Sequence, residues 1–388
     1  MKKFISILGS TGSIGLSALE IVDKKRDYFK ISLLSANKNY TKISKQIKKY
    51  NPKYFIINDK LTFEKKKKKF KKKKIKILNN FESLNSIKKN DIFISAIPGI
   101  AGLLPTLKII KFSKKLLLAN KESIICGWSL IKKEALKYNT KLVPIDSEHF
   151  SISKLIENQN IKDIRKVYIT ASGGPFLNYK KNKLKKITPR DALNHPKWKM
   201  GKKISIDSST LMNKILELIE ASKLFNISNT KLDILVHPNS LVHAIIVFKN
   251  GLTKFIYHET SMIIPLSNAI FGDKLNIEKF YKIKNNSIIE NLTFKKVDKQ
   301  IFPIYKLKNR LDEYPSTSII INAANEVLVS HFLKKKIPFL SIYKIIMAIL
   351  NDSNYRKYAI RKPINFNIIY QIDEWTRNLV KKKLDKLK

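Results

Sequence analysis

The chain has 388 residues, of which 44% are hydrophobic and 10% aromatic, so it can bury more than one core and is not intrinsically disordered. It contains no apolar run of about 18 residues and enters a strand-like segment at once, so we expect neither a membrane span nor a signal peptide. The net charge of +47 suggests a nucleic-acid partner, but only seven of the 77 basic residues are Arg and the Lys residues are spread along the chain. We therefore expect no nucleic-acid and no membrane partner. The single cysteine, Cys126, excludes an internal disulfide and favours a reducing, cytosolic compartment.

The chain begins with a strand, a glycine-rich turn and a helix. The strand covers residues 4–8, the turn carries Gly9, Gly12 and Gly15, and the helix covers residues 16–23. Glycines at this spacing let the turn close tightly and let backbone N–H groups approach a pyrophosphate at the helix N-terminus. Any tight strand-to-helix turn can use such glycines, so it is the flanking strand and helix that favour dinucleotide binding.

Further apolar runs follow, separated by helical or Lys-rich connectors. They cover residues 30–35, 54–57, 75–78, 92–97 and 115–119. This alternation predicts a doubly wound parallel sheet. The run 30–35 ends without the acid that would hold the ribose of NAD, and Lys38 follows it, which favours NADPH, although a surface Lys is common in so Lys-rich a chain. The Lys-rich block 64–74 is predicted to be a solvated helix face or loop without a function.

The motif Pro-Ile-Asp-Ser-Glu-His spans residues 144–149, at the end of a strand predicted over residues 141–145. In an extended backbone, residues two apart project to the same face, so Asp146 and Glu148 would converge and need a cation between them. A solvated turn or a helix N-cap explains the same residues without a metal. Asn120, Lys121 and Glu122 follow the preceding strand at its carboxyl end, where ligands of open α/β sheets bind.

Polar segments with ligand-binding character continue beyond this strand. Ser172 precedes two glycines in a turn that suits a phosphate or carboxylate, although turn chemistry alone explains it equally well. A loop punctuated by Pro and Gly carries His195 and Trp198, which we expect to cover a ligand. Residues 204–206 are predicted to be a strand that turns into a helix on which Asn213 and Glu217 share one face, with an ordinary amphipathic surface helix as the alternative.

The rest of the chain is predicted to form strands, a linker and helices, without residues that indicate catalysis or ligand binding. Strands at residues 232–236, 241–248 and 252–257 predict a small antiparallel sheet, and His237 and His243 are interpreted as structural. The pattern loosens into a linker over residues 271–303. Apolar residues at helical spacing over residues 319–333, 340–350 and 373–387 predict a helical terminal unit.

Eight of these segments together resemble one family along nearly the whole chain. They are GSTGSIG at 9–15, GLLPTL at 102–107, LANKES at 118–123, PIDSEH at 144–149, TASGGPF at 170–176, NHPKW at 194–198, DSSTLMNK at 207–214 and INAANE at 321–326. In this order they resemble the 1-deoxy-D-xylulose 5-phosphate reductoisomerase family. Any one of the motifs is a weak signal, but eight in the right order are highly specific.

The resemblance implies an activity, its cofactors and a quaternary state. The expected reaction rearranges 1-deoxy-D-xylulose 5-phosphate to a branched aldehyde phosphate, which NADPH reduces to 2-C-methyl-D-erythritol 4-phosphate in the non-mevalonate route to isoprenoid precursors. A divalent cation (Mg²⁺, Mn²⁺ or Co²⁺) would hold adjacent substrate oxygens as a Lewis acid. The family also implies a homodimer.

The resemblance implies the following roles, residue by residue. The metal ligands would be Asp146, Glu148 and Glu217, and these three with Lys121 and His195 would be catalytic. The substrate would be bound by Lys121, Ser147, Glu148, Ser172, His195, Trp198, Ser208, Asn213, Lys214 and Glu217. The cofactor would be bound by Thr11, Gly12, Ser13, Ile14, Asn37, Lys38, Asn39, Asn120, Glu122 and Gly201. The chain departs from the family pattern at Ile215, where Gly is usual, and at Ile263, where an Arg is lost.

The predicted fold is α/β, with three domains and one linker. We expect an NADPH-binding Rossmann-like domain at residues 1–146, a central α+β domain for catalysis, metal binding and dimerisation at 147–270, the linker at 271–303 and a helical domain at 304–388. Two other functions compete with this interpretation. A two-domain NADPH dehydrogenase of the semialdehyde type would need a nucleophilic Cys, and Cys126 has no activating neighbour in the sequence. A Lys-rich nucleic-acid-binding protein would show strongly salt-dependent binding to DNA.

Overall fold

The computed structural model describes residues 2–84, 87–198, 200–283 and 292–386. Its contacts divide the chain into two compact units. The first comprises Met1–Ser123, Leu130–Asp146 and Ser261–Asn285, and the second comprises Ile124–Ser129, Ser147–Thr260 and Asn286–Lys388. Residues 284–291 of the predicted linker and residue 387 of the last predicted helix lie outside the described residues.

The secondary structure alternates strands and helices in the first half of the chain and becomes helical towards the end. The strands are β1 (Lys3–Leu8), β2 (Phe29–Ala36), β3 (Tyr54–Ile57), β4 (Lys76–Leu78), β5 (Asn90–Ser95), β6 (Ser113–Leu118), β7 (Lys141–Pro144), β8 (Ile164–Ala171), β9 (Leu232–Val236), β10 (Val242–Phe248), β11 (Thr253–Tyr257) and β12 (Lys295–Lys296). The α-helices are α1 (Ser13–Lys24), α2 (Tyr40–Tyr50), α3 (Lys60–Lys69), α4 (Leu103–Ile110), α5 (Lys121–Lys137), α6 (Ser147–Leu155), α7 (Pro189–Leu193), α8 (Lys202–Ser209), α9 (Met212–Phe225), α10 (Ile263–Phe271), α11 (Thr317–Leu333), α12 (Ser341–Leu350), α13 (Tyr355–Ala359) and α14 (Phe366–Asp385). Short 3₁₀ helices lie at Ile100–Gly102, Ile161–Asp163, Gly174–Phe176, Lys181–Lys186, Asn229–Lys231, Gly272–Lys274, Ile277–Lys279 and Pro303–Arg310.

The first unit is built on a parallel sheet with the strand order β4-β3-β2-β1-β5-β6-β7. All its strand pairs are parallel, and Ile5 of β1 lies between Ile31 of β2 and Ile92 of β5. Because the strand order reverses between β1 and β5, their carboxyl ends flank the switch point at which open α/β sheets bind ligands. The predicted doubly wound parallel sheet is confirmed.

The core of the first unit includes side chains from residues 261–285, which lie far along the chain from its strands. Phe280 is buried in the same cluster as residues of β1 and β2, and Phe271, Leu275 and Ile277 pack against it. The prediction of a linker from residue 271 is therefore wrong for this stretch. Its short 3₁₀ turns have no helical period, so the sequence pattern loosens although the apolar side chains are buried.

The Lys-rich block is largely solvated, as predicted, with one exception. Most Lys side chains of α3 and the following loop are exposed, but Lys66 is fully buried. Its ammonium lies over the ring of Tyr40 and donates a hydrogen bond to Ser44. Burial lowers the pKa of Lys66 to about 8. The buried Lys66 therefore attaches α3 to α2.

The second unit contains a five-stranded sheet with the order β11-β10-β8-β9-β12. The β8 and β9 pair is parallel and the others are antiparallel, so the predicted antiparallel sheet is in fact mixed. The parallel pair requires a crossover connection, which α7, α8 and α9 supply. Helix α6 packs against β10 and β11.

Residues 204–206 do not form the predicted strand but lie in α8. Two isoleucines in alternation suggested a strand, yet Ile204 is only half-buried, and the buried positions are Ser205, Ile206, Asp207 and Ser209, which form one side of a helix. Leu211 has a positive φ of 68° and separates α8 from α9.

The C-terminal part of the chain is helical, as predicted. Helices α11 and α14 pack together, and α12 packs against both. Their apolar stripes are buried, including Ile320 and Leu328 of α11 and Ile346 of α12. Within the described residues, none of the helices combines the length and hydropathy needed to cross a membrane.

Candidate active site

The glycine-rich turn joins β1 to α1 at the switch point of the parallel sheet. Gly9 has a φ of 77°, and a Cβ there would lie 2.4 Å from the carbonyl oxygen of Ala96. A Cβ on Gly15 would lie 2.4 Å from the carbonyl oxygen of Gly9. Gly12 is the N-cap of α1 and provides no side-chain cap, so the N–H groups of the first helical turn can bind an anion. Thr11, Gly12, Ser13 and Ile14, the predicted cofactor contacts, belong to this turn.

The second predicted cofactor segment follows β2. Asn37, Lys38 and Asn39 are all exposed, and the chain has no carboxylate among them. Asn39 is the N-cap of α2, because its side chain accepts a hydrogen bond of 3.0 Å from the backbone N–H of Lys42. The segment therefore lies between the end of a parallel strand and the start of a helix, where a ribose is expected.

Asn120, Lys121 and Glu122 form the start of α5, immediately after β6. The side chain of Asn120 accepts a hydrogen bond of 2.8 Å from the N–H of Ser123 and donates one of 2.9 Å to the carbonyl of Gly99. Asn120 is thus the N-cap of α5, and Lys121 and Glu122 belong to its first turn. The ammonium of Lys121 lies 2.7 Å from the carboxylate of Asp146, and both belong to the first unit.

The local geometry of the Asp-Ser-Glu motif differs from the extended backbone that we expected. Strand β7 ends at Pro144 and α6 starts at Ser147, so Glu148 lies in the first turn of a helix. The Ser147 hydroxyl donates a hydrogen bond of 2.7 Å to Glu148. The extended backbone that we expected for this motif is therefore wrong, because the helix starts at Ser147.

The second unit holds a buried charged cluster formed by Glu148, Lys214 and Glu217. The Lys214 ammonium donates to Glu148 and lies 2.8 Å from Glu217 Oε2, and Asn213 donates to the other oxygen of Glu217. Burial would raise the pKa of Glu148, but the Lys214 ammonium and His243 hold it well below its ordinary value. Burial would likewise lower the pKa of Lys214, but the two carboxylates raise it. Both carboxylates are thus buried, and both bind the same positively charged group, the Lys214 ammonium.

Two histidines that were not among the predicted site residues, His149 and His243, lie beside this cluster. His149 Nε2 lies 3.0 Å from the carbonyl oxygen of Glu217, and its Nδ1 lies 3.4 Å from Glu220 Oε2. His243 Nδ1 lies 4.0 Å from Glu148, and its ring stacks on His258 at 3.9 Å. In the sequence, only the position of His149 directly after the Asp-Ser-Glu motif indicated that a histidine lies at this cluster. The spacing of His243 gave no such indication.

Ser172 and His195, which we predicted from separate motifs, lie in direct contact. The Ser172 hydroxyl is 3.0 Å from His195 Nε2, and it accepts a hydrogen bond of 3.1 Å from the N–H of Gly174. His195 Nδ1 accepts from the N–H of Trp198 at 2.9 Å, so the imidazole proton lies on Nε2 and points towards Ser172. Burial, with a smaller effect of the Lys214 charge, lowers the pKa of His195 to about 4.

The remaining predicted residues of the second unit lie at the ends of α8. Gly201 is the N-cap of α8 and is exposed, and Ser208 lies in its last turn. A Cβ on Gly174 would approach the backbone of Ser208 to 3.2 Å, so the Ser172 turn packs closely against that end of the helix. The ring of Trp198 lies 6.3 Å from that of His243, edge to face. In this way the second unit brings the Ser172 turn close to Ser208.

The chain matches family models described as 1-deoxy-D-xylulose 5-phosphate reductoisomerase over residues 5–127, as its C-terminal domain over residues 142–225, and as the DXP reductoisomerase C-terminal domain over residues 259–379. It is 48% identical over 382 residues, which cover 97% of each chain, to 1-deoxy-D-xylulose 5-phosphate reductoisomerase of Pelagibacter ubique. This chain belongs to the 1-deoxy-D-xylulose 5-phosphate reductoisomerase family. The recognition made from the eight motifs is confirmed.

Solved structures of the family share the whole fold. A crystal structure of DOX-P reductoisomerase in complex with NADPH, fosmidomycin and magnesium matches with a TM-score of 0.92 at 30% identity, over 99% of each chain. The reductoisomerase from Zymomonas mobilis in complex with NADPH matches with a TM-score of 0.86 at 31% identity, again over 99% of each chain. The predicted α/β fold class is thus confirmed along the full length of the relatives.

Proposed function

We propose that this protein converts 1-deoxy-D-xylulose 5-phosphate to 2-C-methyl-D-erythritol 4-phosphate, by a rearrangement followed by reduction with NADPH. The observation that carries the proposal is the buried Glu148, Lys214 and Glu217 cluster in a chain that matches the family from end to end. The family relative solved with NADPH, fosmidomycin and magnesium supports the same classes of cofactor here. The division into a cofactor domain and a catalytic domain is part of the proposal.

The proposed metal ligands are Asp146, Glu148 and Glu217. Three carboxylates suit a hard divalent cation such as Mg²⁺ or Mn²⁺. Two of them are buried and one, Glu148, is held ionised by its neighbours, so the donor set fits such a cation. A divalent cation bound there supplies Lewis-acid polarisation of two adjacent substrate oxygens.

The residues around this cluster have distinct proposed roles. Lys121 donates a proton or a hydrogen bond to a substrate oxygen, and Ser147 binds the substrate backbone. The phosphate group is bound by Ser172, Ser208, Asn213 and Lys214, which offer hydroxyl, amide and ammonium donors. Lys214 pairs with Glu148 and Glu217, so a divalent cation held by these carboxylates would compete with its ammonium and would leave it available for the phosphate. His195 donates from Nε2, and Trp198 covers the substrate and excludes water.

NADPH supplies the hydride for the second step. The glycine-rich turn would bind its pyrophosphate, and the segment after β2 would bind its adenosine ribose. The proposed contacts are Thr11, Gly12, Ser13, Ile14, Asn37, Lys38, Asn39, Asn120, Glu122 and Gly201. We further propose a homodimer in the cytosol, and light scattering of the purified protein tests the dimer.

The absorbance of NADPH tests the proposed reaction directly. With 1-deoxy-D-xylulose 5-phosphate and Mg²⁺ or Mn²⁺ present, we expect NADPH to be consumed and 2-C-methyl-D-erythritol 4-phosphate to accumulate. A chelator should stop the reaction, and excess metal should restore it. A Cys126→Ser variant serves as the control, because a semialdehyde-type dehydrogenase needs its thiol whereas the proposed enzyme does not, and Cys126 is buried. No turnover in the presence of metal, or turnover that depends on Cys126, would contradict the proposal.

A further inference from the structure

Helix α2 is attached to the glycine-rich turn through two side chains that lie four residues apart on one face. Lys42 donates a hydrogen bond of 3.3 Å from Nζ to the carbonyl oxygen of Thr11. Gln46 donates one of 2.8 Å to the carbonyl of Ser10 and accepts one of 2.7 Å from the Ser10 hydroxyl. Gln46 and Ser10 are buried, and Lys42 is half-buried. These bonds occupy two carbonyls of the turn and bring an ammonium group up to it.

Two points of the fold fix where a phosphate on the adenosine ribose would lie. The turn after β1 receives the pyrophosphate, and the carboxyl end of β2, here Ala36, receives the ribose with its 2′ substituent. Lys42 contacts the first point and lies within the first turn of the helix that leaves the second. We propose that Lys42 binds the 2′-phosphate of NADPH and thereby selects NADPH over NADH. This inference rests on the proposed function and adds a specificity-determining residue to it.

Lys42 is better placed for this role than Lys38, the residue that the sequence suggested. Lys38 is exposed, and among the described residues it has no side-chain hydrogen bond or ion pair that would hold its ammonium in place. Its charge acts on Asp59, the N-cap of α3. The Lys42 ammonium is held by Thr11 with one of its three protons, and the Lys42 backbone N–H is held by Asn39. A charge that is already positioned loses less conformational entropy on binding than a free side chain does.

Equilibrium binding tests the proposal without any turnover. The probes are NADPH against NADH, and 2′,5′-ADP against 5′-AMP, because each pair differs only in the 2′-phosphate. Lys42→Met should weaken NADPH and 2′,5′-ADP by about 10- to 100-fold, as expected for the loss of a hydrogen bond between charged groups. NADH and 5′-AMP should change by less than about twofold, since they lack the phosphate. Lys42→Arg should restore most of the selectivity.

Two control variants on the same helix separate the alternatives. Lys45→Met removes the same charge from an exposed site of α2 and should leave all four affinities unchanged. Gln46→Met breaks the bonds to Ser10 without removing a charge, so it should weaken both members of each pair equally. If Lys42→Met behaved like Gln46→Met, Lys42 would only position the turn, and the proposal would be overturned. A loss of selectivity in Lys38→Met but not in Lys42→Met would overturn it as well. Wild-type protein that bound no NADPH would instead refute the proposed function.

Discussion

Replacing Lys214 by Met tests whether its ammonium keeps two carboxylates ionised in the interior. Lys214 Nζ lies 2.8 Å from Glu217 Oε2 and also bonds Glu148, and the side chain of Glu217 is only 1% exposed. Methionine keeps most of the length and the apolar stem of lysine, so the main loss is the charge. In the absence of divalent metal, the variant therefore reports on the electrostatics of this cluster.

The size of the effect depends on whether the carboxylates of Glu148 and Glu217 stay charged or take up a proton when the Lys214 ammonium is removed. Removing one partner of a buried ion pair costs about 3 to 5 kcal/mol, because the remaining charge is uncompensated. Protonation of one carboxylate limits this cost: at pH 7 it takes about 3.7 kcal/mol, from an ordinary Glu pKa of about 4.3 and about 1.36 kcal/mol per unit. We therefore expect a loss of about 3 kcal/mol in the free energy of unfolding of the second unit at pH 7.

The sign of the pH dependence is fixed by linkage. In the variant, one buried carboxylate has a folded pKa above its unfolded value, so the folded state binds more protons than the unfolded state. The loss of stability is then smallest below about pH 4.3 and grows as the pH rises. At pH 5.5 the free energy needed to protonate one carboxylate, which limits the loss of stability, falls to about 1.6 kcal/mol. The difference between wild type and variant should therefore shrink by about half or more between pH 7 and pH 5.5.

Urea unfolding followed by tryptophan fluorescence measures this loss. The three tryptophans, Trp128, Trp198 and Trp375, all belong to the second unit, so the signal reports on the unit that holds Lys214. A chelator is present throughout. Lys154→Met is the matched control, because Lys154 pairs with Glu157 at the same spacing of three residues and the same 2.8 Å, but on the exposed surface. It should cost less than about 1 kcal/mol. Equal losses in the two variants, or a loss for Lys214→Met that does not change with pH, would refute the reasoning.

Further predictions concern the proposed ligands and the residues that cover them. Glu217→Gln should lower Mn²⁺ affinity and turnover while the fold stays intact, measured by Mn²⁺ titration and circular dichroism, and unchanged Mn²⁺ dependence would remove Glu217 from the ligand set. Ser172→Ala deletes the partner of His195 Nε2 and of the Gly174 N–H, so KM for the substrate should rise about tenfold, and an unchanged KM would argue against its role. His195 should stay neutral between pH 8 and 5.5, because burial lowers its pKa to about 4; since its folded pKa is depressed, the stability that it contributes should fall as the pH drops below about 6.5. NMR of the His195 ring, assigned with His195→Gln, would contradict this if the ring titrated near pH 6.5.

Short-range patterns were enough to predict the parallel sheet of the first unit. Apolar runs in alternation with helices predicted the doubly wound sheet, and the glycines at 9, 12 and 15 predicted the turn at its switch point. These features depend on steric and hydrogen-bonding rules that act within a few residues. The strand predicted at residues 204–206 was wrong because it also rested on a short local pattern. Two alternating isoleucines fit a strand and a helix equally well, and only burial of one face decides between them.

The sequence by itself determined the family, the parallel sheet, the glycine-rich turn at its switch point and the residue types of the candidate metal site. The tertiary structure decided which of those residues meet. Only folding places the Lys214 ammonium between Glu148 and Glu217, which raises its pKa and lowers that of Glu148. Folding also places Phe280 in the core of the first unit and Lys42 against the glycine-rich turn. Such contacts depend on burial and on residues tens of positions apart, and no local period in the chain records them.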